Sequence, residues 1–476
     1  MKTLLDLPPL TDAGNAERLA AAYGTELAYC EDRGQWRVWA SPCWRSDTLR
    51  PLYRCALAVA RAMGEEAQDL DDTPQIDPHT GKRGKSERAR LQAHAAQSES
   101  KRSQEAMIAL AAHMEPISRS ARDFDRHGYE LNTPGGIYRL SEDGAEVMAN
   151  TPDRMHSRAT RVAPNPWAVD TPVWDGFLDT ITCGDAELKA WLHRAVGMSL
   201  IGKQQEHVFL FCSGDGGNGK GTFLNFLVWL LGDYGQTLPP NMLVERKQEA
   251  HLTELADLEG CRLVIGTEVP RGSAWDEVKI KMLTGGDRIR ARKMRQDLYE
   301  FDATHTFWIS GNDKPRLRGT DNGIWRRMRV VPFRASIPEA EQDRDLDAKL
   351  QAEAAGILRW AIEGCRLYRL QGLGWCQAVR EATDAYRKEE DILGAFLEEE
   401  CEVGVNVSCT KTQFRTALRA WLEAREFRPM SDRALKPELT RKGIWERRES
   451  ANGDWLWMGV KVRPAFSASR MQYGEH

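Results

Sequence analysis

One short segment combines glycines with a lysine in a pattern that binds phosphate groups. It reads GDGGNGKGT over residues 214–222 and lies between two apolar runs, 208–212 and 223–231. Glycines let the backbone turn its N–H groups toward a phosphate, the start of a helix adds a positive dipole, and Lys220 reaches the β- and γ-phosphates. The pattern predicts a strand, a phosphate-binding loop and a helix, and a glycine-rich turn without a ligand is the alternative. The candidate ligand-binding residues are Gly214, Asp215, Gly216, Gly217, Asn218, Gly219, Lys220, Gly221 and Thr222.

The residue after the lysine departs from the usual phosphate-binding loop. A hydroxyl at that position commonly ligates Mg²⁺, but this chain has Gly221 there and Thr222 one residue later. Either Thr222 supplies the hydroxyl or a water molecule does.

Polar side chains follow two further predicted strands. Glu268 comes after the run 263–265, where a carboxylate can hold the water shell of a metal or polarise the attacking water. Its neighbour is a threonine rather than a second acid, so the division of these two roles stays open, and a surface glutamate is the alternative. Asn312 follows the run 307–309 and can orient a lytic water, unless it is a turn residue before Pro315.

Two arginines, Arg326 and Arg327, precede the apolar run 330–333. An arginine supplied by a neighbouring subunit would stabilise charge on a transferring phosphate and make hydrolysis depend on assembly. The position in the chain favours Arg327 over Arg326 as the arginine that is supplied to the neighbouring subunit. Arginines on a solvated rim are the alternative.

Between Glu268 and Asn312 lies a dense basic stretch. Residues 289–294 and 298–301 form a hairpin pattern whose tip would present Lys293 and Arg295 outward. Cations of this kind contact nucleic-acid phosphates without selecting a sequence, and a solvated hairpin is the alternative. The candidate DNA-binding residues are Arg290, Arg292, Lys293 and Arg295.

The composition of the chain limits the classes of protein to which it can belong. The chain has 476 residues, of which 41% are apolar, enough for several cores, and its net charge of −4 does not by itself indicate a nucleic-acid binder. No apolar run is long enough to cross a bilayer, and Pro8 and Pro9 interrupt the segment where a signal peptide would be apolar. The ten cysteines include no C-x-x-C pair, so we expect reduced thiols in a cytosolic protein.

The pattern along the chain predicts a multi-domain α/β protein with six segments. They are a small N-terminal α+β module (1–63), a polar linker (64–105), a helical domain (106–202), an α/β domain with the glycine-rich loop (203–335), a helical connection (336–400) and a C-terminal domain (401–476). Helices followed by a hairpin in the last segment indicate a winged helix.

Taken in order, the motifs resemble the superfamily 3 helicase module of phage, plasmid and poxvirus helicase-primases. They are GDGGNGKGTF, RLVIGTE, KIKMLTGGDRIRARKMRQDLYEF, HTFWISGNDKP and GIWRRMRVVPF. Upstream, LNTPGGIYRL and the helical segment that follows are similar to the domain that precedes the helicase in this family. The resemblance covers most of residues 106–460, and the early TDAGNAERLAAAYG is similar to the lead-in region.

The resemblance implies an AAA+-like P-loop ATPase in which Lys220 and Thr222 bind ATP and Mg²⁺. Glu268 would be the second nucleotide motif and a metal ligand, Asn312 the polar sensor, and Arg327 or Arg326 the finger that reaches across a subunit boundary. The Lys293 and Arg295 hairpin would point into the channel of a hexameric ring that moves 3′ to 5′ on single-stranded DNA.

The expected activity is that of a replicative DNA helicase, an ATP hydrolase of a phage, satellite or plasmid, in the cytoplasm of a bacterial host. Its expected partners are single-stranded and forked DNA and further copies of the chain, with no membrane. No acidic cluster of a primase-polymerase is visible, so priming would fall to a separate primase-polymerase. The alternatives are an ATP-regulated origin-binding initiator with little unwinding and a double-stranded DNA translocase.

Overall fold

The computed structural model describes residues 7–48, 50–74, 76, 79, 82–167, 169–239, 242–246, 252–267, 269–270, 272–293, 297–317, 322–425, 427, 429–450 and 453–463. Within them, several packed units surround one parallel sheet. The chain therefore has the mixed α/β, multi-domain architecture that the sequence predicts.

The N-terminal unit packs helices against one face of a four-stranded sheet. Its elements are α1 (Asp12–Tyr23), β1 (Leu27–Cys30), β2 (Gln35–Ala40), β3 (Cys43–Ser46), α2 (Pro51–Glu66), α3 (Glu87–Ser98), α4 (Lys101–Ala111) and β4 (Ser118–Arg119). The strand order is β3-β2-β1-β4, and only the β1–β4 pair is parallel. Leu19, Leu52 and Met107 join α1, α2 and α4 in one core.

The segment 64–105, which composition predicts to be a polar linker, contains α3 and the start of α4. Leu91 is buried in a small core that includes Ala95. The buried side chain of Asn15 in α1 donates to Ser98 Oγ at 2.9 Å. Small alanine side chains let helices pack closely, so few large apolar residues are needed to bury an interface. The linker prediction is therefore wrong for the described part of this segment, and the N-terminal unit extends beyond residue 63 to β4.

The next segment, predicted to be helical over 106–202, contains an antiparallel sheet as well as helices. Its elements are β5 (Glu130–Thr133), β6 (Gly136–Leu140), β7 (Ala145–Met148), α5 (Pro172–Ile181) and α6 (Ala186–Met198). The strands pair in the order β5-β6-β7. Asp185 caps α6 by accepting hydrogen bonds from the backbone N–H groups of Glu187 and Leu188, both at 3.0 Å.

The central sheet has five parallel strands with helices on both faces. This part of the chain contains β8 (Phe209–Ser213), α7 (Lys220–Leu231), β9 (Gly235–Leu238), α8 (Leu252–Ala256), β10 (Leu263–Gly266), α9 (Glu277–Leu283), β11 (Ile289–Ala291), β12 (Tyr299–Phe301), β13 (Thr306–Gly311), α10 (Asn322–Trp325) and β14 (Met328–Pro332). The strand order is β14-β8-β13-β10-β9. The strands predicted at 208–212, 263–265 and 307–309 are confirmed as β8, β10 and β13.

The three central strands, β8, β13 and β10, are largely apolar because both of their faces are buried, whereas the edge strand β9 is polar and partly exposed. One face lies against a core that includes Trp174 and Phe223, and the other against a core that includes Trp275 and Ile280. β11 and β12 pair outside this sheet as an antiparallel hairpin, in which Ile289 lies opposite Phe301. The observed strands are shorter than the predicted hairpin.

From residue 346 onward the chain is mostly helical, and its last unit contains a small sheet. The elements of this part are α11 (Leu346–Ala352), α12 (Ala354–Gln371), α13 (Gln377–Glu390), α14 (Ile392–Glu400), β15 (Cys401–Thr410), α15 (Lys411–Ala424), α16 (Asp432–Arg441), β16 (Trp445–Arg448) and β17 (Trp455–Val462). The last sheet has the order β15-β17-β16. Phe396 of α14 shares its core with Trp421 and Trp457, so this unit begins at α14 rather than at residue 401. Among the described residues, no helix is both long and apolar enough to cross a membrane.

Candidate active site

The glycine-rich loop connects the end of β8 to the start of α7, as the sequence predicts. Gly214, Gly217 and Gly219 have φ angles of 156°, 72° and 82°, a region that favours glycine. A Cβ atom at Gly214 would lie 2.1 Å from the carbonyl oxygen of Phe333, and one at Gly219 would lie 2.6 Å from Ile181 Cγ2. Both conformation and space therefore require glycine at these two positions.

Lys220 begins α7 and turns its ammonium back into the loop. Its side chain donates to the Gly214 carbonyl at 2.6 Å, the Asp215 carbonyl at 3.1 Å and Asn218 Oδ1 at 3.0 Å. The residue is only 5% exposed, and burial lowers the pKa of the ammonium. A buried cation held by neutral acceptors is a favourable place for an anionic ligand, because the anion would stabilise its charge.

The loop opens into a cleft of about 750 Å³ at the carboxyl ends of the parallel strands. Ligands of open parallel sheets bind at this edge. Lys220, Thr222 and Asn312 all line the cleft, so the structure brings these three predicted residues together. The other predicted loop residues on its wall are Gly216, Gly217, Asn218, Gly219 and Gly221.

A segment after β14 covers one side of the cleft. The backbone N–H of Ile337 donates to the carbonyl of Gly217 at 2.8 Å, which fastens this segment to the loop. Arg344 from the same segment lines the cleft and is exposed, and it forms no ion pair with any residue that the structure describes. Thr237 at the end of β9 is a further cleft residue that sequence reasoning missed. Neither residue belongs to a motif, and only the fold brings them to the loop.

Two predicted site residues, Glu268 and Arg295, lie outside the described residues. The neighbour of the first, Thr267, directly follows β10 and lines the cleft. The metal role of Glu268 and the DNA role of Arg295 therefore stay predictions.

The two candidate finger arginines are far from the cleft of their own chain. Met328 pairs with Phe209, so Arg326 and Arg327 lie next to the first residue of β8, whereas the glycine loop follows its last residue, Ser213. At about 3.3 Å per strand residue, this separation is roughly 13 Å. Neither arginine lines the cleft. Arg326 is exposed, and Arg327 is half-buried and donates to the Gly323 carbonyl at 3.2 Å.

The basic hairpin lies apart from the cleft-lining residues and is only partly neutralised. Arg290 pairs with Glu300 on the opposite strand at 2.7 Å, and Arg288 pairs with Asp302 at 3.2 Å. Arg292 is exposed and Lys293 is half-buried. Among the predicted DNA-binding residues that the structure describes, Arg292 and Lys293 therefore supply the positive charge near the tip of the hairpin. The charge of Arg290 is balanced by Glu300.

Two family models match the chain. One, described as D5 N terminal like, matches residues 16–183, and the other, a family of unknown function, matches residues 212–327. Together these segments contain most of the N-terminal unit, the β5–β7 sheet and the glycine-rich loop with most of the central sheet.

The chain is also similar to viral proteins named as candidate helicases and primases. It is 27% identical over 301 residues to the candidate helicase L207/L206 of Acanthamoeba polyphaga mimivirus, a match that covers 58% of this chain and 31% of that protein. It is 25% identical over 305 residues to the candidate helicase 022R of Frog virus 3, covering 60% and 31%. With the candidate primase C962R of African swine fever virus (isolate Tick/Malawi/Lil 20-1/1983) it shares 22% identity over 300 residues, covering 58% and 31%.

Each of these matches spans about a third of the relative's own length. Among solved structures, the apo structure of the NrS-1 C terminal region shares the fold, with a TM-score of 0.51 at 11% identity over 94% of this chain and 98% of that chain. The resemblance drawn from the motifs is thereby confirmed, and the chain is similar to viral proteins of the helicase-primase type.

Proposed function

We propose that this chain is an ATP-dependent DNA helicase of viral or phage replication, which moves 3′ to 5′ on single-stranded DNA as a ring. The observation that carries the proposal is the meeting of Lys220, Thr222 and Asn312 in one cleft at the carboxyl ends of the central strands. The viral relatives named as candidate helicases and primases support a role in replication.

In this proposal the central sheet is an AAA+-like P-loop core, and the cleft holds ATP with Mg²⁺. The loop N–H groups and Lys220 would bind the phosphates, and Asn312 would orient the attacking water. Thr222 lines the cleft and is half-buried, which favours it over water as the hydroxyl ligand of the metal. Glu268 would be the second metal ligand. The bound metal would neutralise charge that develops on the phosphates.

Hydrolysis would take place between subunits. Arg326 and Arg327 lie at the opposite end of β8 from the glycine loop, so a finger arginine would serve the cleft of a neighbouring subunit. A closed ring, which we propose to be a hexamer, gives every cleft such a neighbour. Exposure favours Arg326 as the finger, whereas chain position favours Arg327.

The hairpin tip would hold one DNA strand through Arg292, Lys293 and Arg295. The order α14-β15-α15-α16-β16-β17 is that of a winged helix, which we propose binds duplex DNA or a separate primase-polymerase. Its α16 carries Arg433, Lys436 and Arg441.

The nucleotide part of the proposal is tested by ATPase rates with and without single-stranded oligothymidylate. We expect wild type to hydrolyse ATP faster in the presence of the oligonucleotide and Lys220→Ala to hydrolyse none. Lys293→Ala should keep the basal rate and lose most of the stimulation. A wild-type rate in Lys220→Ala would contradict the assignment of the cleft. Hydrolysis stimulated by duplex but not by single-stranded DNA would instead indicate a double-stranded DNA translocase.

A further inference from the structure

Three side chains from distant parts of the sequence meet beside the basic hairpin. Arg33 lies in the turn between β1 and β2, Glu259 lies between α8 and β10, and Tyr299 is the first residue of β12. Arg33 Nη2 lies 2.5 Å from Glu259 Oε1, and the Arg33 guanidinium carbon lies 3.3 Å from the centre of the Tyr299 ring. Tyr299 Oη donates to Glu259 Oε2 at 3.1 Å. We call these three residues the Arg33 cluster.

The cluster is partly shielded from water, which strengthens the contacts of Arg33 most. The Arg33 side chain is 10% exposed and that of Glu259 is 31% exposed. Burial and the neighbouring Glu259 carboxylate raise the pKa of Tyr299, so its hydroxyl keeps the proton that it donates. An arginine that both pairs with a carboxylate and lies over an aromatic ring is held in one orientation.

Arg33 is itself mounted rigidly on the N-terminal unit. The adjacent Asp32 accepts hydrogen bonds from Ser120 Oγ at 2.6 Å and from the backbone N–H of Ala121 at 2.7 Å. Gly34 follows in the left-handed conformation, with φ 59°, and completes the turn. Because its backbone is fixed to the N-terminal unit, the Arg33 side chain can hold the residue that it contacts in a defined position relative to that unit.

Tyr299 occupies the outer end of the described hairpin strands. It lies opposite Ala291, which directly precedes Arg292 and Lys293. Ile289, Ala291 and Phe301 are buried in the core, and Tyr299 packs against that core from its edge. The core therefore anchors the described strands, and Arg33 adds a contact from the N-terminal unit at the end that lies next to the basic residues.

We propose that Arg33 is a positioning residue for DNA binding, through which the N-terminal unit holds the hairpin in the orientation that presents Arg292 and Lys293 to a strand. This inference rests on the proposed DNA-binding role of the hairpin. A hairpin held in place before binding loses less conformational freedom when DNA binds. The N-terminal unit would thus contribute to DNA affinity without touching DNA.

A second contact between the same two parts of the chain provides a matched control. Arg45 of β3 pairs with Asp233 at 2.8 Å, and the two side chains are 48% and 34% exposed. Asp233 follows α7 and does not belong to the hairpin. Arg45→Ala therefore removes an arginine and a contact between the N-terminal unit and the core, but leaves the hairpin support intact.

The test measures binding of full-length protein to fluorescein-labelled oligothymidylate by anisotropy, together with basal ATPase rates and amide exchange in β11 and β12. Arg33→Ala should weaken DNA binding about five- to tenfold, speed exchange in both strands and leave the basal ATPase rate unchanged. Arg33→Lys keeps the charge beside Glu259 but loses the planar contact with Tyr299, so it should lose less DNA affinity than Arg33→Ala. It replaces Arg33→Ala in the test if the alanine variant does not fold. Arg45→Ala should match wild type in all three measurements.

Wild-type DNA affinity in both Arg33 variants would overturn the inference. Equal losses in Arg33→Ala and Arg45→Ala, or a parallel loss of basal ATPase activity, would also overturn it, because either result would indicate a general docking contact. The Lys293→Ala variant distinguishes failure of the Arg33 inference from failure of the proposed DNA-binding role of the hairpin. If Lys293→Ala weakens binding and the Arg33 variants do not, only the inference fails, whereas wild-type binding by Lys293→Ala removes the hairpin from the DNA site.

Discussion

The backbone N–H of Phe209 donates to the carbonyl of Arg327 at 2.8 Å, which places Arg327 beside the first residue of β8. The glycine-rich loop begins after the last residue of the same strand. The candidate finger arginines and the cleft of one chain therefore lie at opposite ends of the sheet. This relationship is the structural basis for expecting an active site that two subunits share.

Mixing two inactive variants tests the sharing of the site. Lys220→Ala should abolish hydrolysis, and the double variant Arg326→Ala with Arg327→Ala should lower it by about 10³-fold. In a mixture, some subunits of the arginine variant lie next to a Lys220→Ala subunit. The cleft between them has Lys220 from the first subunit and the finger arginine from the second, so it is complete. Equal mixing with subunit exchange should restore about a quarter of the wild-type ATPase rate, because one interface in four is then complete. A mixture no more active than its components would contradict a shared site.

Removing the Thr222 hydroxyl tests the assignment of the metal ligand. Thr222→Ala should lower the rate of Mg-ATP hydrolysis by about 10- to 100-fold and shift the Mg²⁺ dependence to higher concentration, since a protein ligand is lost. Thr222→Ser keeps the hydroxyl and is the matched control, which we expect to stay near the wild-type rate. ATPase rates over a Mg²⁺ titration provide the measurement. Normal hydrolysis by Thr222→Ala would show that the metal takes its hydroxyl ligand elsewhere.

Two glycines of the loop should respond differently to alanine. Gly219→Ala places a Cβ atom 2.6 Å from Ile181 Cγ2 at a φ of 82°, so we expect a loss of about 1–3 kcal/mol in the free energy of unfolding. Gly221→Ala adds a Cβ atom with no neighbour within 4 Å in a helix, and should stabilise by about 0.5–1 kcal/mol. Urea unfolding without nucleotide measures both. Equal stability of the two variants would contradict the described loop conformation.

Acid should destabilise the protein partly through His305, which precedes β13 and is buried. Burial lowers the pKa of its imidazole to about 4, below the 6.5 expected for an unfolded histidine. The unfolded chain therefore binds a proton that the native protein excludes as the pH falls from 6.5 toward 4, and stability is lost in this window. Between pH 7.5 and 5.5 the loss from this group should be about 1 kcal/mol.

His305→Leu isolates that contribution. Urea unfolding at the two pH values should show a smaller pH-dependent loss of stability in the variant than in wild type, whatever its absolute stability. The half-buried His193 also has a lowered pKa, so the variant should keep part of the pH dependence. An identical pH dependence in wild type and His305→Leu would contradict the account of this residue.

The sequence was sufficient to predict the glycine-rich loop because its signals are local. Lys220 sits in a run of glycines between an apolar strand and an apolar helix, and each of these features acts over a few residues. Asn312 could be predicted for a related reason. It follows the apolar run 307–309, and the carboxyl ends of parallel strands meet at one edge of a sheet.

Other features depend on contacts between distant segments. Leu91 is buried because alanine-rich helices pack closely around it, so counting large apolar residues wrongly predicted a linker. Arg344 reaches the cleft only because the segment after β14 folds back over the loop. Arg33 lies more than two hundred residues before Tyr299, and no local pattern connects the two residues.

Unwinding of tailed forks tests the central claim most directly. With ATP and Mg²⁺, wild type should unwind a fork with a 3′ single-stranded tail and should leave a fork with only a 5′ tail intact, while Lys220→Ala should unwind neither. No unwinding by the wild type, together with ATP-dependent assembly on one particular duplex sequence, would contradict the helicase and indicate an origin-binding initiator.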